Sequence, residues 1–261
     1  MLMRIENIDK RYGKQQVLEQ VSFDIKAGEI LGLVGESGCG KSTLARIIGG
    51  YEVPSTGAVF FENHNLHKMR GKDLKAFRRS CQMIFQDNLA SLDPSMKLMT
   101  ALKEPLNNNF SMGTEEKESR IRRLMDRMKL KENILPKFPA NISGGERQRA
   151  NICRALLVGP KLMICDEITS SLDVITQQKL LVLLKELNEN GMTILFISHD
   201  IDAVKSISDR VMVMHDGRMI EMLKREEDFL GTHPYTKKLF EALPIRHPSQ
   251  RKQLEGSGLL N

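Results

Sequence analysis

The chain has 261 residues, 41% of them hydrophobic, which suffices for a sizeable core in one domain with or without an inserted subdomain. No apolar run approaches the roughly 18 residues needed to cross a bilayer and no signal-peptide core follows the N-terminus, so we expect a soluble protein of the cytoplasm. The net charge of +6 comes from basic residues interspersed with acidic ones, which favours a solvated surface over a nucleic-acid-binding stripe.

The four cysteines are widely scattered and form no C-x-x-C pair. This spacing indicates neither a metal knuckle nor a disulfide framework. We therefore expect Cys39, Cys81, Cys153 and Cys165 to behave as small buried apolar residues.

The chain begins with two segments that alternate apolar and polar residues, at 3–8 and 21–25, which predicts an antiparallel β start. Tyr12 lies in the connection between them and offers an aromatic face on which an adenine ring could stack. A tyrosine that merely packs at a strand end is the alternative.

A phosphate-binding loop is predicted at 35–43, which matches the pattern G-x-x-x-x-G-K-[ST] between an apolar strand and an apolar-periodic helix. The glycines let backbone N–H groups converge on phosphate oxygens, and the helix N-terminus adds about half an elementary charge. Lys41 is predicted to hold the β- and γ-phosphates, and the Ser42 hydroxyl to ligate Mg²⁺. A glycine-rich turn with a surface lysine is the alternative. The candidate nucleotide contacts are Gly35, Ser37, Gly38, Gly40, Lys41, Ser42 and Thr43.

A further strand is predicted at 81–85 and ends at Gln86. A glutamine that leaves a strand beside a nucleotide can bind Mg²⁺ or the attacking water through its amide. Its loop could also report occupancy of the site to a partner. Without that context Gln86 would be an ordinary loop residue.

The character of the chain changes after residue 87, where breakers such as Pro94, Pro105 and Gly113 precede a helix capped by Thr114. We interpret 88–142 as an inserted helical subdomain, and a long lid within the same domain is the alternative. The predicted organisation is a nucleotide-binding core with an antiparallel β subdomain at 1–87, the helical insertion, the second part of the core at 143–225 and a C-terminal extension at 226–261. The tail beyond Pro244 is expected to be mobile.

A second anion site is predicted at the start of the helix that follows Ser143. Ser143 is the expected N-cap, and Gly144 and Gly145 leave backbone N–H groups unshielded at a positive helix end. The chain therefore has two helix starts that can bind an anion, one after the phosphate loop and one after Ser143. Either both bind the same ligand within one chain, or each completes a ligand site on another copy of the chain.

Two carboxylates, Asp166 and Glu167, stand at the end of a buried strand predicted at 162–165. Asp166 is predicted to hold Mg²⁺, and Glu167 to orient and deprotonate the water that attacks the γ-phosphorus. His199 follows the next buried strand, at the sheet edge where open α/β sheets bind ligands, so a contact to the γ-phosphate is expected. Helix capping or core packing is the alternative for His199.

Taken in order, these motifs resemble the nucleotide-binding subunit of ABC transporters over nearly the whole chain. The resemblance implies a P-loop α/β fold and an ATPase that binds two ATP molecules with Mg²⁺ across a head-to-tail dimer. It implies catalytic roles for Lys41, Gln86, Glu167 and His199. Tyr12 is similar to the adenine-stacking aromatic, 171–173 to the D-loop, and the signature of the family corresponds to Ser143, Gly144, Gly145 and Glu146.

Two further stretches, 85–94 and 232–239, resemble the ATPases of the oligopeptide, dipeptide and nickel importer group. The resemblance implies two permease subunits, a substrate-binding protein, a paralogous or identical second ATPase, and a location on the cytoplasmic face of the membrane. Some members of the group carry a C-terminal cysteine cluster; because no cysteine follows Cys165, we expect no iron–sulfur centre.

This chain departs from the family pattern at Ile142 and Glu146 in the signature, and at Ile168, where a proline usually follows the glutamate. A proline would fix the backbone φ of the turn after Glu167, and Ile168 does not, so the sequence does not determine the geometry of that turn. One alternative function is a soluble ATPase of the same type acting on nucleic acid or ribosomes, for which the basic charge is the only support. A small-molecule kinase would leave residues 143–149 without a role.

Overall fold

The computed structural model describes residues 1–85, 92–170 and 172–241. Ten strands and eight α-helices are present in these ranges. They are β1 (Met3–Tyr12), β2 (Gln15–Ile25), β3 (Ile30–Val34), α1 (Lys41–Ile48), β4 (Thr56–Phe61), β5 (His64–Asn65), α2 (Gly71–Ser80), β6 (Cys81–Ile84), α3 (Leu98–Asn109), α4 (Thr114–Arg127), α5 (Gly144–Leu156), β7 (Leu162–Asp166), α6 (Val174–Glu189), β8 (Thr193–Ile197), α7 (Ile201–Ile207), β9 (Arg210–His215), β10 (Arg218–Lys224) and α8 (Pro234–Glu241).

The first sheet is antiparallel and has the strand order β2-β1-β4-β5. Met3 pairs with Ile25 across β1 and β2, and with Phe61 across β1 and β4. Alternation along β1 buries Met3 and Ile5 on the core side, because successive side chains of a strand point to opposite faces. The predicted antiparallel start is confirmed, but both strands are longer than predicted, and Tyr12 is the last residue of β1, paired with Gln15, and not part of a connection.

The second sheet has the order β10-β9-β3-β8-β7-β6 and is parallel except for the β9–β10 hairpin. Every residue of β3, β7 and β8 is buried, because one face of the sheet packs on helices and the other packs on α1 and the first sheet. The carboxyl ends of parallel strands meet at one edge, so the loops after β3, β7 and β8 converge there. The predicted α/β P-loop core is confirmed.

Helices α3 and α4 lie between β6 and α5 in the chain and pack on α5. Leu102, Ile121 and Met125 belong to the same buried cluster as Met163 and Phe196 of the sheet. This shared core joins the helical segment to the sheet. The division of the chain at 88–142 stays a prediction.

One helix start differs from the sequence prediction. Gly113 is the N-cap of α4, and Thr114 is its first helical residue. Gly113 offers no side chain for a cap hydrogen bond, while Glu115 and Glu116 in the first turn complement the positive helix end.

The β9–β10 hairpin turns at Asp216 and Gly217, which both have positive φ, 44° and 76°. Positive φ at both central residues is the requirement of a type I′ turn. The four cysteines are all buried and free, as predicted.

Among the described residues no helix is long and apolar enough to span a membrane. Gln86, Ser171 and the tail beyond Pro244 lie outside the described residues.

Candidate nucleotide-binding site

A cavity of about 500 Å³ lies where the loops after β3, β7 and β8 converge. It combines six residues of the phosphate loop with one carboxylate and one histidine from neighbouring strand ends. The lining residues are Val17, Ser37, Gly38, Gly40, Lys41, Ser42, Thr43, Glu167 and His199. The structure therefore brings together the phosphate loop, the predicted base and the predicted histidine.

Backbone carbonyl groups of the phosphate loop hold the side chain of Lys41 inside the loop. The Lys41 ammonium donates to the carbonyl oxygens of Gly35 and Glu36, each at 2.9 Å, and the side chain is buried. These carbonyls keep the ammonium cation in place under the cavity. A phosphate that enters the loop therefore meets a positive charge that is already oriented.

The backbone of the loop is packed too closely for side chains at two of its glycines. A Cβ on Gly35 would lie 2.3 Å from the Met214 carbonyl oxygen, and one on Gly40 would lie 2.8 Å from the Val17 carbonyl oxygen. Gly40 also has φ of 104° and caps α1 without a side-chain hydrogen bond. The first N–H groups of α1 therefore face the cavity and are available to an anion.

Ser42 and Asp166 form the predicted metal pair. The Ser42 hydroxyl donates to Asp166 Oδ1 at 3.2 Å. Burial raises the pKa of Asp166, the Ser42 hydrogen bond lowers it in part, and the negative charge of Glu167 raises it further. Two adjacent oxygen ligands, one of them a buried carboxylate that a cation would stabilise, fit Mg²⁺.

Glu167 and His199 face each other across the cavity. His199 Nδ1 lies 2.7 Å from Glu167 Oε2, and the Glu167 side chain is 12% exposed whereas that of His199 is 64% exposed. A mostly buried carboxylate oriented by an exposed imidazole can accept a proton from a water in the cavity. The imidazole remains accessible to a ligand.

The turn that carries Glu167 is held by hydrogen bonds despite Ile168. Glu167 has φ of 52°, which is uncommon for a residue with a side chain. Its N–H donates to the Ile197 carbonyl at 3.0 Å, and the Ser170 hydroxyl donates to the Glu167 carbonyl at 2.9 Å. Backbone strain of this kind persists where surrounding contacts fix it, and here it directs the carboxylate into the cavity.

The signature residues do not line this cavity in the described part of the chain. Ser143 is the N-cap of α5, as predicted, and forms a capping box with Glu146. The Ser143 hydroxyl accepts from the Glu146 N–H at 3.2 Å and donates to the Glu146 carboxylate at 2.9 Å. The Ser143 backbone N–H also donates to Glu146 Oε2 at 2.9 Å, and this bond, together with that from the Ser143 hydroxyl, lowers the pKa of Glu146. The helix start is thus formed in the single chain, with the neighbouring Gly144 exposed.

Tyr12 also lies outside the described cavity lining. Its ring is 46% exposed, and the Lys10 ammonium lies 5.0 Å from the ring centroid. Its hydroxyl donates to Glu52, which raises the pKa of Tyr12, while a contact to Thr43 lowers it. Since Thr43 lines the cavity, Tyr12 is at the rim of the site.

Sequence reasoning missed Val17, which reaches the cavity from β2, and Tyr235, whose ring stacks on His215 at the end of β9. Neither residue belongs to a local pattern that predicts such a contact. Both contacts join segments far apart in the chain, so only the fold reveals them.

A family model described as "ABC transporter" matches residues 18–170. The chain belongs to the ABC transporter family. The oligopeptide transport ATP-binding protein OppF of Haemophilus influenzae is 44% identical over 243 residues, covering 91% of this chain and 73% of that protein. OppF of Bacillus subtilis is 41% identical over 260 residues, covering 96% of this chain and 85% of that protein.

Among solved structures, the dimeric ATP-binding cassette MJ0796 in a post-hydrolysis state bound to ADP and Pi matches with a TM-score of 0.77 and 29% identity. The match covers 88% of this chain and all of that chain. The present chain is accordingly the ATP-binding, ATP-hydrolysing subunit of an ABC transporter.

Proposed function

We propose that this ABC ATPase powers the import of short peptides. The observation that carries the proposal is a cavity that brings the phosphate loop, Glu167 and His199 together in a chain 44% identical to an oligopeptide transport ATP-binding protein. The stretches at 85–94 and 232–239 point to the same importer group, which also includes nickel importers. Nickel or a metal chelate is therefore the competing cargo.

Hydrolysis at the site is positional and electrostatic. Lys41 and the N–H groups at the start of α1 bind the β- and γ-phosphates, and His199 contacts the γ-phosphate. Glu167 orients the attacking water and takes its proton. Ser42, Asp166 and Gln86 would hold Mg²⁺, which supplies charge neutralisation between the phosphates when bound.

We propose that the signature serves a second subunit. Ser143, Gly144, Gly145 and Glu146 form a helix start outside the lining of the cavity of their own chain, and the backbone N–H groups there would bind an anion. In a head-to-tail dimer this helix start would contact the γ-phosphate held by the partner. The partner is a paralogous ATPase or an identical copy, and Tyr12 at the rim would stack on the adenine.

The permease subunits would dock in a groove of about 560 Å³ between α2, α3 and the end of α1. Its rim is basic, with Lys75, Arg78 and Arg79, and the exposed Tyr51 ring packs edge-on against Phe85 with centroids 5.5 Å apart. We propose that a cytoplasmic segment of the permease with acidic and apolar side chains occupies it. The subunit would then be peripheral on the cytoplasmic face, and a substrate-binding protein would deliver the cargo from outside.

Whole-cell uptake tests the cargo. A labelled short peptide and labelled nickel, with and without a chelator, are supplied to cells that carry either the native chain or Glu167→Gln. We expect peptide uptake to be lost in the variant and nickel uptake to be unchanged. Loss of nickel uptake alone would make the cargo a metal complex. Loss of neither would favour the alternative of an ATPase acting on nucleic acid or ribosomes.

A further inference from the structure

Three consecutive peptide groups of the turn that carries Glu167 are each held by a hydrogen bond. The Glu167 N–H donates to the Ile197 carbonyl of β8 at 3.0 Å, and the Ser170 hydroxyl donates to the Glu167 carbonyl at 2.9 Å. The Ile168 carbonyl accepts from Nε2 of Gln148, on α5, at 3.2 Å. The turn is therefore held from the sheet, from within and from α5.

The conformation of this turn needs such restraint. Glu167 has φ of 52°, in the left-handed region, and Ile168 lacks the ring with which a proline would fix its own φ. An unfavourable backbone conformation persists only where its surroundings hold it. If the peptide group after Ile168 is released, the turn can relax and carry the carboxylate away from its place 2.7 Å from His199 Nδ1. The hydrogen bond from Gln148 thus bears on the direction of the predicted base.

Gln148 is an amide at a position that an apolar side chain could fill. The residue is 1% exposed and lies on the buried side of α5. Its Oε1 is buried and has no hydrogen-bond partner among the described residues. An unpaired buried acceptor costs at least as much as one hydrogen bond contributes on balance, so the amide adds little to the stability of the fold. Its contact with the catalytic turn is what distinguishes it from an apolar residue.

We propose that Gln148 is a positioning residue for ATP hydrolysis: its amide holds the Ile168 carbonyl and thereby keeps the Glu167 carboxylate directed into the cavity. Gln148 is not part of the cavity lining and acts through the backbone of the turn. Because α5 begins at the signature, one helix joins the signature of the chain to the turn that carries its base. The inference rests on the proposed role of Glu167 and is independent of the cargo.

ATP turnover of the assembled transporter tests the proposal with Gln148→Met, which keeps an unbranched side chain and removes the amide. We expect kcat to fall about tenfold, because misplacing a catalytic group by about 1 Å can cost roughly a hundredfold. The KM for Mg·ATP should stay unchanged, since the phosphate loop keeps its contacts, and so should the Tm of the nucleotide-free chain. In the Glu167→Gln background, Gln148→Met should cause no further loss of kcat, because the group that it positions is gone.

Cys153→Ala is the matched control, because Cys153 is buried on the same helix and makes no hydrogen bond to the turn in the described part of the chain. It should lower the Tm, since it removes packed volume, and leave kcat unchanged. With Glu167→Gln inactive, four results would overturn the proposal: native kcat in Gln148→Met, a raised KM for Mg·ATP in that variant, a Tm lowered as far as in Cys153→Ala, or a further loss of kcat in the double variant. Native turnover in Glu167→Gln would instead overturn the assignment of the base, and this inference with it.

Discussion

Replacing Glu167 with glutamine isolates its role as a base. Glutamine has nearly the same size and can still hydrogen-bond His199 Nδ1, which lies 2.7 Å from Glu167 Oε2. It cannot take up a proton, so the lost contribution is that of general-base catalysis, about 10²- to 10⁴-fold in turnover. This corresponds to roughly 3–5 kcal/mol in the activation barrier.

ATP binding should survive the same substitution. The negative charge of Glu167 raises the pKa of Asp166, so its removal leaves the cavity less repulsive to a triphosphate. We therefore expect the Kd for Mg·ATP to stay equal or fall.

The assay compares phosphate release and the ATP Kd for native chain, Glu167→Gln and the exposed control Glu115→Gln on α4, in the assembled transporter. Native turnover in Glu167→Gln would refute the assignment of the base. Loss of ATP binding in that variant would refute the electrostatic argument.

Ser143→Ala removes the capping box of α5, so the free energy of unfolding should fall by about 1 kcal/mol in urea denaturation. In the assembled transporter the same variant should lose ATP turnover, and native turnover would contradict a role for the signature across the dimer. Glu221 has a pKa of about 2 in the folded chain against an ordinary value of 4.5, so its contribution to stability is complete above pH 4.5 and is lost as the pH falls towards 2. Between pH 6 and pH 3 the native chain should therefore lose more unfolding free energy than Glu221→Gln, and parallel losses would contradict this origin of acid sensitivity.

Local patterns predicted the strands and loops that build the cavity. The apolar strand predicted before the phosphate loop is β3 (Ile30–Val34), and the strand predicted at 162–165 is β7 (Leu162–Asp166), one residue longer than predicted. The phosphate loop and Ser143 cap were equally local. Such features depend on neighbours in sequence, which a pattern records.

Contacts between distant segments could not be predicted in this way. The placement of β3 between β8 and β9, the approach of Val17 to the cavity and the stack of Tyr235 on His215 all depend on how the elements pack. The capping box of α5 could also have been predicted from the sequence, because Ser143 is followed three residues later by Glu146.

Coupling between cargo and hydrolysis is the most direct test of the central claim that this ATPase drives peptide import. The measurement is the rate of ATP hydrolysis in proteoliposomes that contain this chain, its ATPase partner, both permeases and the substrate-binding protein. Peptide-loaded binding protein should raise the rate above that with empty binding protein, and Glu167→Gln should abolish the increase. An equal rate with loaded and empty binding protein would contradict the account.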